Sequence, residues 1–332
     1  MLTQFSRRRL ILGCTAMAAT RPVMAQSPEE ISIGLASTSF ATVAARLAKE
    51  LGLFAQHGMA PRFIVLENAS ATTAALISRS VEYGVSGPGE LVVAQSRGQP
   101  VQVLANTYRG LSGSLVLSKS AIAKSGISAS APVGLRLKAL DGMTIAVPSA
   151  GGAYTVAFKG ASKAAGANVR FTYMAQPAMV SALESGAIDG YVGGAPFWAI
   201  PVIKGYGLLW VGGPKGELAA EFVPASSSNL QVMRDLALAR PSQINRIAKV
   251  FTDLNRVLEE HPTEVKSAVT RIYPDLDRPT LDLLYDAESP TWKCPPPSVE
   301  DMAHEIAFVR ASGVALPNID SLNPSAFIAR SV

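Results

Sequence analysis

The sequence LDGMTIAVPSAGG, at residues 140–152, contains an apolar run, Thr144 to Val147, followed by a turn of small and polar residues. A short apolar run bounded by turn residues is typical of a buried strand. The chain then continues with apolar and small residues from about Ala153 to Ala165 and reaches Gly166, a residue that favours the end of a helix. The stretch therefore predicts a strand, a turn and a helix in succession, with the turn at the N-terminus of the helix.

The same order recurs along the chain. An apolar run at 31–36 leads into Ser37, Thr38 and Ser39, and the apolar spacing after them predicts a helix to about His57. Similar patterns predict strands near 63–66, 83–85, 101–105, 114–117, 170–174, 190–192 and 208–211, with helices between most of them. From about Glu221 the chain changes to long helical segments, at 243–261, 263–273 and 299–312. Strands that alternate with helices predict an α/β fold with largely parallel sheets.

Length and composition favour two lobes. A chain of 332 residues, of which 48% are hydrophobic, is long enough to build two medium-sized cores. The segment 119–139 is rich in Ser and Ala and lacks clear periodicity, which indicates a crossover. We therefore predict a discontinuous first lobe at 26–118 and 222–332, and a second lobe at 119–221.

The N-terminus has the features of an export signal. Residues Ser6-Arg7-Arg8-Arg9 precede an apolar run, Leu10 to Ala19, and Val23-Met24-Ala25 places small residues where a signal peptidase cuts. We expect a signal peptide at 1–25 and a periplasmic protein. The arginine pair fits the twin-arginine route, whereas Leu10 departs from that pattern and leaves the general secretion route open.

Removal of that signal changes the charge and the cysteine count. The signal carries four arginines and no acidic residue, so that 30 basic and 25 acidic residues become 26 and 25. A nearly neutral chain does not favour nucleic acid or an anionic membrane as a partner. Cys14 leaves with the signal, and Cys294 alone cannot form an internal disulfide. Cys14 also resembles a lipoprotein acylation site, but few apolar residues separate it from Arg9, so lipid anchoring is the less favoured interpretation.

Three stretches of the chain resemble one family of transport proteins. They are 48–54 followed by His57-Gly58-Met59, then 140–147, then ALESGAIDG at 182–190. In this order they resemble the periplasmic solute-binding proteins of ABC importers that serve sulfonates, taurine, nitrate and thiamine-precursor pyrimidines. The resemblance implies the type II periplasmic-binding fold, in which two α/β lobes close like a hinge on a solute in the interlobe cleft. It implies as partners a small-molecule solute and an ABC permease in the inner membrane with its ATPase, and we expect a monomer.

Small molecules in open α/β sheets bind beyond the carboxyl ends of the strands, where helix N-termini favour anionic groups. This rule selects the loops at 37–39, 86–89 and 106–109 in the first lobe and 149–152 in the second. The predicted ligand-binding residues are Ser37, Thr38, Ser39, Gly87, Pro88, Arg109, Ser149, Gly151, Gly152, Tyr154 and Trp198.

Each of these residues also has an interpretation that involves no ligand. The serines and glycines are typical of helix caps and turns. Arg109 is placed to hold a carboxylate or sulfonate through two hydrogen bonds, or it is a solvated surface residue. Trp198, like Phe197, is either a wall of the cleft or part of the core. Glu90 would favour a ligand with hydrogen-bond donors if it faced the cleft.

The sequence contains no recognisable catalytic or metal-binding pattern. His57, His261 and His304 lack metal-ligand spacing, and Cys294 lies in a proline-rich turn. We expect no enzyme activity, no metal and no cofactor. The predicted function is the capture of a small anionic solute, sulfonate-like or carboxylate-like, for an importer. Binding or synthesis of a thiamine pyrimidine precursor on the same fold stays open, as does a role as the ligand-sensing partner of a membrane kinase.

Overall fold

Two five-stranded sheets organise the part of the chain that the structure describes. The computed structural model describes residues 27–311, 313 and 315–329. The predicted signal peptide at 1–25, with Cys14, lies outside the described residues.

The described part of the chain contains ten strands. They are β1 (Glu29–Leu35), β2 (Met59–Val65), β3 (Tyr83–Ser86), β4 (Val101–Arg109), β5 (Ser114–Ser118), β6 (Thr144–Val147), β7 (Arg170–Tyr173), β8 (Gly190–Gly193), β9 (Gly207–Val211) and β10 (Ser226–Met233).

Fourteen α-helices lie within the same residues. They are α1 (Val43–Glu50), α2 (Leu53–Gln56), α3 (Ala69–Ile77), α4 (Pro88–Ser96), α5 (Lys119–Ser125), α6 (Val133–Lys138), α7 (Ala153–Ala164), α8 (Gln176–Glu184), α9 (Ala199–Ile203), α10 (Arg234–Ala239), α11 (Pro241–Glu260), α12 (Pro262–Ile272), α13 (Arg278–Glu288) and α14 (Val299–Ala311). Short 3-10 turns occupy Phe40–Thr42, Ala220–Phe222, Ser289–Thr291, Ile319–Ser321 and Pro324–Phe327.

Each sheet combines parallel strands with one antiparallel strand. The strand order is β2-β1-β3-β10-β4 in the first sheet and β7-β6-β8-β5-β9 in the second. β1 pairs in parallel with β2 and β3, and β6 pairs in parallel with β7 and β8. β10 runs antiparallel to β3 and β4, and β5 runs antiparallel to β8 and β9. The predicted α/β fold with two lobes is confirmed.

The sequence pattern does not predict the strand β10, which lies between Glu221, where the chain is expected to change to helical segments, and the first of those segments at 243–261. β10 begins with Ser-Ser-Ser-Asn, which has none of the apolar alternation that marks a strand. All eight of its residues are nevertheless buried, since the strand lies between β3 and β4 and is covered on both faces. Ser228 finds partners in distant segments of the chain: its hydroxyl donates to the carbonyl of Ala41 and pairs with the Thr107 hydroxyl.

Three local expectations also differ from the structure. The polar segment 106–109 continues β4 instead of forming a loop, and the segment 119–139 contains the helices α5 and α6. The single helix predicted to His57 is divided, because Gly52 adopts a left-handed conformation with φ of 72° between α1 and α2. A left-handed residue cannot continue an α-helix, and glycine adopts this conformation without steric penalty.

Between residues 27 and 311, two crossovers connect the sheets, at 110–113 and 212–225. They meet where the Gly110 N–H donates to the Ala225 carbonyl at 3.0 Å. The strand Ser114–Ser118, expected in the first lobe, pairs inside the second sheet, because the chain has already crossed at 110–113. The division into 26–118 with 222–332 and 119–221 otherwise stays a prediction.

The described residues form three hydrophobic clusters. The first packs α1, α11, α12 and α13 against one face of the first sheet and includes the ring contact of Phe40 with Trp292, whose centroids are 5.5 Å apart. The second extends across both lobes, and α14 contributes Met302 and Phe308 to it. A third, smaller cluster around Met179 covers the other face of the second sheet. The carboxyl ends of the strands are thereby brought face to face.

Candidate functional site

A small cavity lies between the two lobes, at the carboxyl ends of their parallel strands. The first lobe lines it with hydroxyl groups from five residues: Ser37, Thr42, Ser86, Ser227 and Ser228. The second lobe contributes the hydroxyls of Ser149 and Tyr154, the amide of Gln176, and the backbone of Gly152 at the start of α7. The described residues that line this inner cavity carry no formal charge.

The inner cavity has a volume of about 50 Å³. A buried water occupies roughly 10–15 Å³ on this measure, so the cavity has room for a group of only a few non-hydrogen atoms. It adjoins an outer pocket of about 500 Å³, with which it shares Ser37 and Gln176. The outer pocket has mainly apolar walls, from Val65, Leu66 and Phe197 among others. A solute larger than the inner cavity would therefore extend along this path.

The polar groups of the cavity are held in position by hydrogen bonds. The Tyr154 hydroxyl pairs with the Ser112 hydroxyl at 2.8 Å, and burial raises the Tyr154 pKa well above its usual value. Tyr154 is therefore a neutral hydrogen-bonding group at physiological pH. The side-chain oxygen of Gln176 accepts the Gly194 N–H at 2.8 Å, which leaves the amide N–H groups of Gln176 for the cavity. Ser37 pairs with Ser39 at 2.8 Å.

Five of the residues predicted from sequence line the inner cavity: Ser37, Gly87, Ser149, Gly152 and Tyr154. Three others lie close to it. Ser39 is buried beneath Ser37, Thr38 lines the outer pocket, and Gly151 directs its N–H to the Glu90 carboxylate.

The remaining three predicted residues do not line the inner cavity. Pro88 is the buried first residue of α4, and Arg109 is exposed at the end of β4. Trp198 is half-buried, and its indole N–H donates to the Glu288 Oε1 at 3.3 Å. Burial raises the pKa of Glu288 to about 8. Trp198 therefore contacts the first lobe through an acidic side chain and not through the cavity.

Sequence reasoning missed several residues of the cavity. Gln176 begins α8 directly after β7, so the rule that selected the other strand ends, applied to β7, would have found it. Thr42 lies one turn beyond the predicted serine cluster. Ser227 and Ser228 had no such signal, because the strand that carries them was not predicted.

Within the described residues, no group of three or more His, Cys, Asp and Glu side chains is arranged to hold a metal ion. None of the helices in that part of the chain combines the length and the apolar character that crossing a membrane requires.

Comparisons with known proteins place this geometry in context. The NMT1-like family matches residues 24–273. No curated protein has a sequence that matches this chain.

Solved structures share the fold at low sequence identity. A protein of Bordetella bronchiseptica RB50 superposes with a TM-score of 0.76 at 16% identity, over 91% of this chain and 94% of its own. The alkanesulfonate-binding protein SsuA from Xanthomonas axonopodis pv. citri, bound to MOPS, has a TM-score of 0.71 at 16% identity, over 91% and 99% of the two chains. The periplasmic nitrate-binding protein NrtA from Synechocystis PCC 6803 has a TM-score of 0.66 at 13% identity, over 90% and 86%.

The last two structures are named as binding proteins and not as enzymes, which agrees with the prediction that this chain is not an enzyme. The resemblance drawn from the sequence is also confirmed, because the family match covers most of the chain and includes all three stretches that carry it. The chain belongs to the NMT1-like family and has the fold of the periplasmic binding proteins.

Proposed function

We propose that this protein is the exported solute-binding component of an ABC importer. It captures a small anionic solute, sulfonate-like or carboxylate-like, between its lobes in the periplasm. It delivers that solute, as a monomer, to a permease in the inner membrane that works with an ATPase.

The observation that carries the proposal is the inner cavity, whose polar groups come from both sheets. Hydroxyl groups and the first N–H groups of a helix are suitable donors to the oxygens of an anion. Ser149 and Gly152 lie where α7 begins, so the positive end of that helix faces the cavity. We propose that Ser37, Gly87, Ser149, Gly152 and Tyr154 contact the solute.

The size of the cavity supports a short head group. A volume of about 50 Å³ accommodates a nitrate, carboxylate or sulfonate group, while the rest of a longer solute would lie in the outer pocket of about 500 Å³. Two of the similar structures are named as an alkanesulfonate-binding protein and a nitrate-binding protein. Both names support a small anion as the solute. The export signal predicted at 1–25 supports the periplasm as the compartment.

Thermal-shift screening of sulfonates, carboxylates, nitrate and pyrimidines tests the proposal. A solute that binds the folded state only, present at 100 times its Kd, adds about 2.7 kcal/mol to the free energy of unfolding. We expect stabilisation by at least one anion class. Absence of stabilisation by every class, or turnover of a compound, would overturn the proposal.

A variant of Gln176 tests the cavity as the place of binding. The change Gln176→Ala removes a neutral hydrogen-bond donor, and we expect affinity for the stabilising solute to fall roughly tenfold. Ser185→Ala is the matched control, because Ser185 is exposed at the other end of the same helix. Equal affinities of the two variants, measured by calorimetry, would place the solute elsewhere.

A further inference from the structure

One charged side chain connects the lobes directly beside the cavity. Glu90 lies in the first turn of α4, in the first lobe, and only 7% of it is exposed. Its Oε1 accepts hydrogen bonds from two groups of the second lobe, the Ser149 hydroxyl at 3.1 Å and the Gly151 N–H at 3.2 Å. The Ser70 hydroxyl, from the first lobe, donates to the same oxygen at 2.5 Å.

The backbones approach each other closely around this carboxylate. A Cβ atom added to Gly89 would lie 1.8 Å from the carbonyl oxygen of Gly151, and one added to Gly151 would lie 2.9 Å from the Glu90 carboxyl carbon. The first distance is far shorter than any contact between non-bonded atoms, so the N-terminal ends of α4 and α7 can meet in this way only if residue 89 is glycine. A side chain at position 151 would instead displace the Glu90 carboxylate from its present place.

Glu90 does not line the inner cavity, whereas its partner Ser149 and the neighbouring Gly152 do. A carboxylate is favourable near the N-terminus of a helix, and a hydrogen bond to an ionised group is stronger than one between neutral groups. The bonds to Ser149 and Gly151 exist only when the two lobes are together, because donors and acceptor belong to different lobes. The free energy of these bonds therefore favours the closed arrangement over an open one.

We propose that Glu90 is a positioning residue, which closes the lobes by holding the N-terminus of α7 and thereby places Ser149 and Gly152 for the solute. The role of Glu90 in solute affinity rests on the function proposed above. Its role in closing the lobes does not depend on any solute. Solute release must break the Glu90 bonds, so Glu90 slows dissociation.

The closure of the lobes is measured by electron–electron distance spectroscopy with spin labels at Leu283→Cys and Ala123→Cys. Leu283 is 61% exposed on α13 of the first lobe and Ala123 is exposed on α5 of the second lobe; neither lines the inner cavity or the outer pocket, and the native Cys294 is buried. Without added solute, we expect Glu90→Ala to shift the distance distribution to longer values. Glu90→Gln, which keeps an acceptor oxygen, should lie between Glu90→Ala and the parent protein.

A steric variant tests the same contact without changing the carboxylate. Gly89→Ala should also lengthen the distance, while Gly134→Ala, in an open position on α6, and Glu184→Ala, an exposed glutamate on α8, should leave it unchanged. Distances in Glu90→Ala and Gly89→Ala that match the parent protein would overturn the proposal.

Solute affinity separates positioning from simple charge repulsion. Methanesulfonate, acetate and nitrate serve as probes, and we expect Glu90→Ala to raise the Kd at least tenfold, mainly through faster dissociation, with partial rescue in Glu90→Gln. Tighter binding of anions by both variants would overturn the proposal, because it would mean that Glu90 acts only by repelling them. If the parent protein bound no solute at all, the proposed function would fail, while the distance measurements would still decide the closing role.

Discussion

The buried acid Glu305 gives the sharpest test of the energetics of this fold. Glu305 lies on α14 with no exposed surface, and its Oε1 accepts the Ser226 N–H at 3.0 Å, beside the second crossover. Within the described residues its Oε2 has no hydrogen-bond partner. Burial raises the pKa of this carboxyl from 4.5 to about 8.

The raised pKa predicts how stability depends on pH. Between pH 4.5 and 8, the unfolded chain releases this proton while the folded protein keeps it, so the free energy of unfolding falls as the pH rises. Each pH unit in this window contributes about 1.36 kcal/mol, which amounts to roughly 3–4 kcal/mol between pH 5 and pH 8. Below pH 4.5 the full contribution of the protonated Glu305 to the free energy of unfolding is present. Above pH 8 that contribution has been lost and does not change further.

Glu305→Gln replaces the titrating acid with a neutral side chain of the same shape. We expect the variant to lose about 3–4 kcal/mol less stability than the parent protein between pH 5 and pH 8. Urea unfolding, followed by circular dichroism at both pH values, measures this difference. Glu288, whose pKa burial also raises to about 8, titrates equally in both proteins and cancels from the comparison.

The exposed Glu184→Gln is the matched control and should follow the parent protein at every pH. If Glu305→Gln and the parent protein lost stability in parallel, Glu305 would be ionised in the folded state. Burial would then not keep this carboxyl protonated in the folded protein.

Two further predictions concern packing and the interlobe contact. Leu230→Ala, in the centre of β10, should lower the free energy of unfolding by about 2–5 kcal/mol. The control Leu238→Ala, at a side chain that is 67% exposed, should change it by less than about 0.5 kcal/mol. Equal losses in the two variants, measured by urea unfolding, would exclude β10 from the core. Trp198→Phe removes the N–H that reaches Glu288 across the lobes and should destabilise the protein by about 1 kcal/mol. A thermal melt unchanged from the parent protein would show that this hydrogen bond contributes nothing.

Local patterns in the sequence were sufficient for the units that are built from neighbouring residues. The run Thr144 to Val147 is a strand, and the helix after it begins at Ala153. These two elements can be predicted from neighbouring residues alone, because a short apolar run favours a strand and a glycine-containing turn ends it in most contexts. The residues Ser149 and Gly152 were placed in the site for this reason.

Long-range contacts determined the parts that the sequence did not reveal. The strand β10 depends on burial of polar residues such as Ser228, which is favourable only because partners from distant segments satisfy its hydroxyl. Arg109 shows the opposite case. It has suitable chemistry for an anion, but its place at the exposed end of β4 keeps it away from the cavity.

The sequence by itself determined the α/β class, most of the strand ends that line the inner cavity, and the near-neutral charge of the chain once the predicted signal is removed. The tertiary structure decided which strand ends meet, and so brought Gln176 and Ser227 into the cavity and placed Glu90 as a contact between the lobes. The physical reason is that hydrophobic periodicity specifies only which face of an element is buried. The opposing surface is specified by the packing of both lobes together.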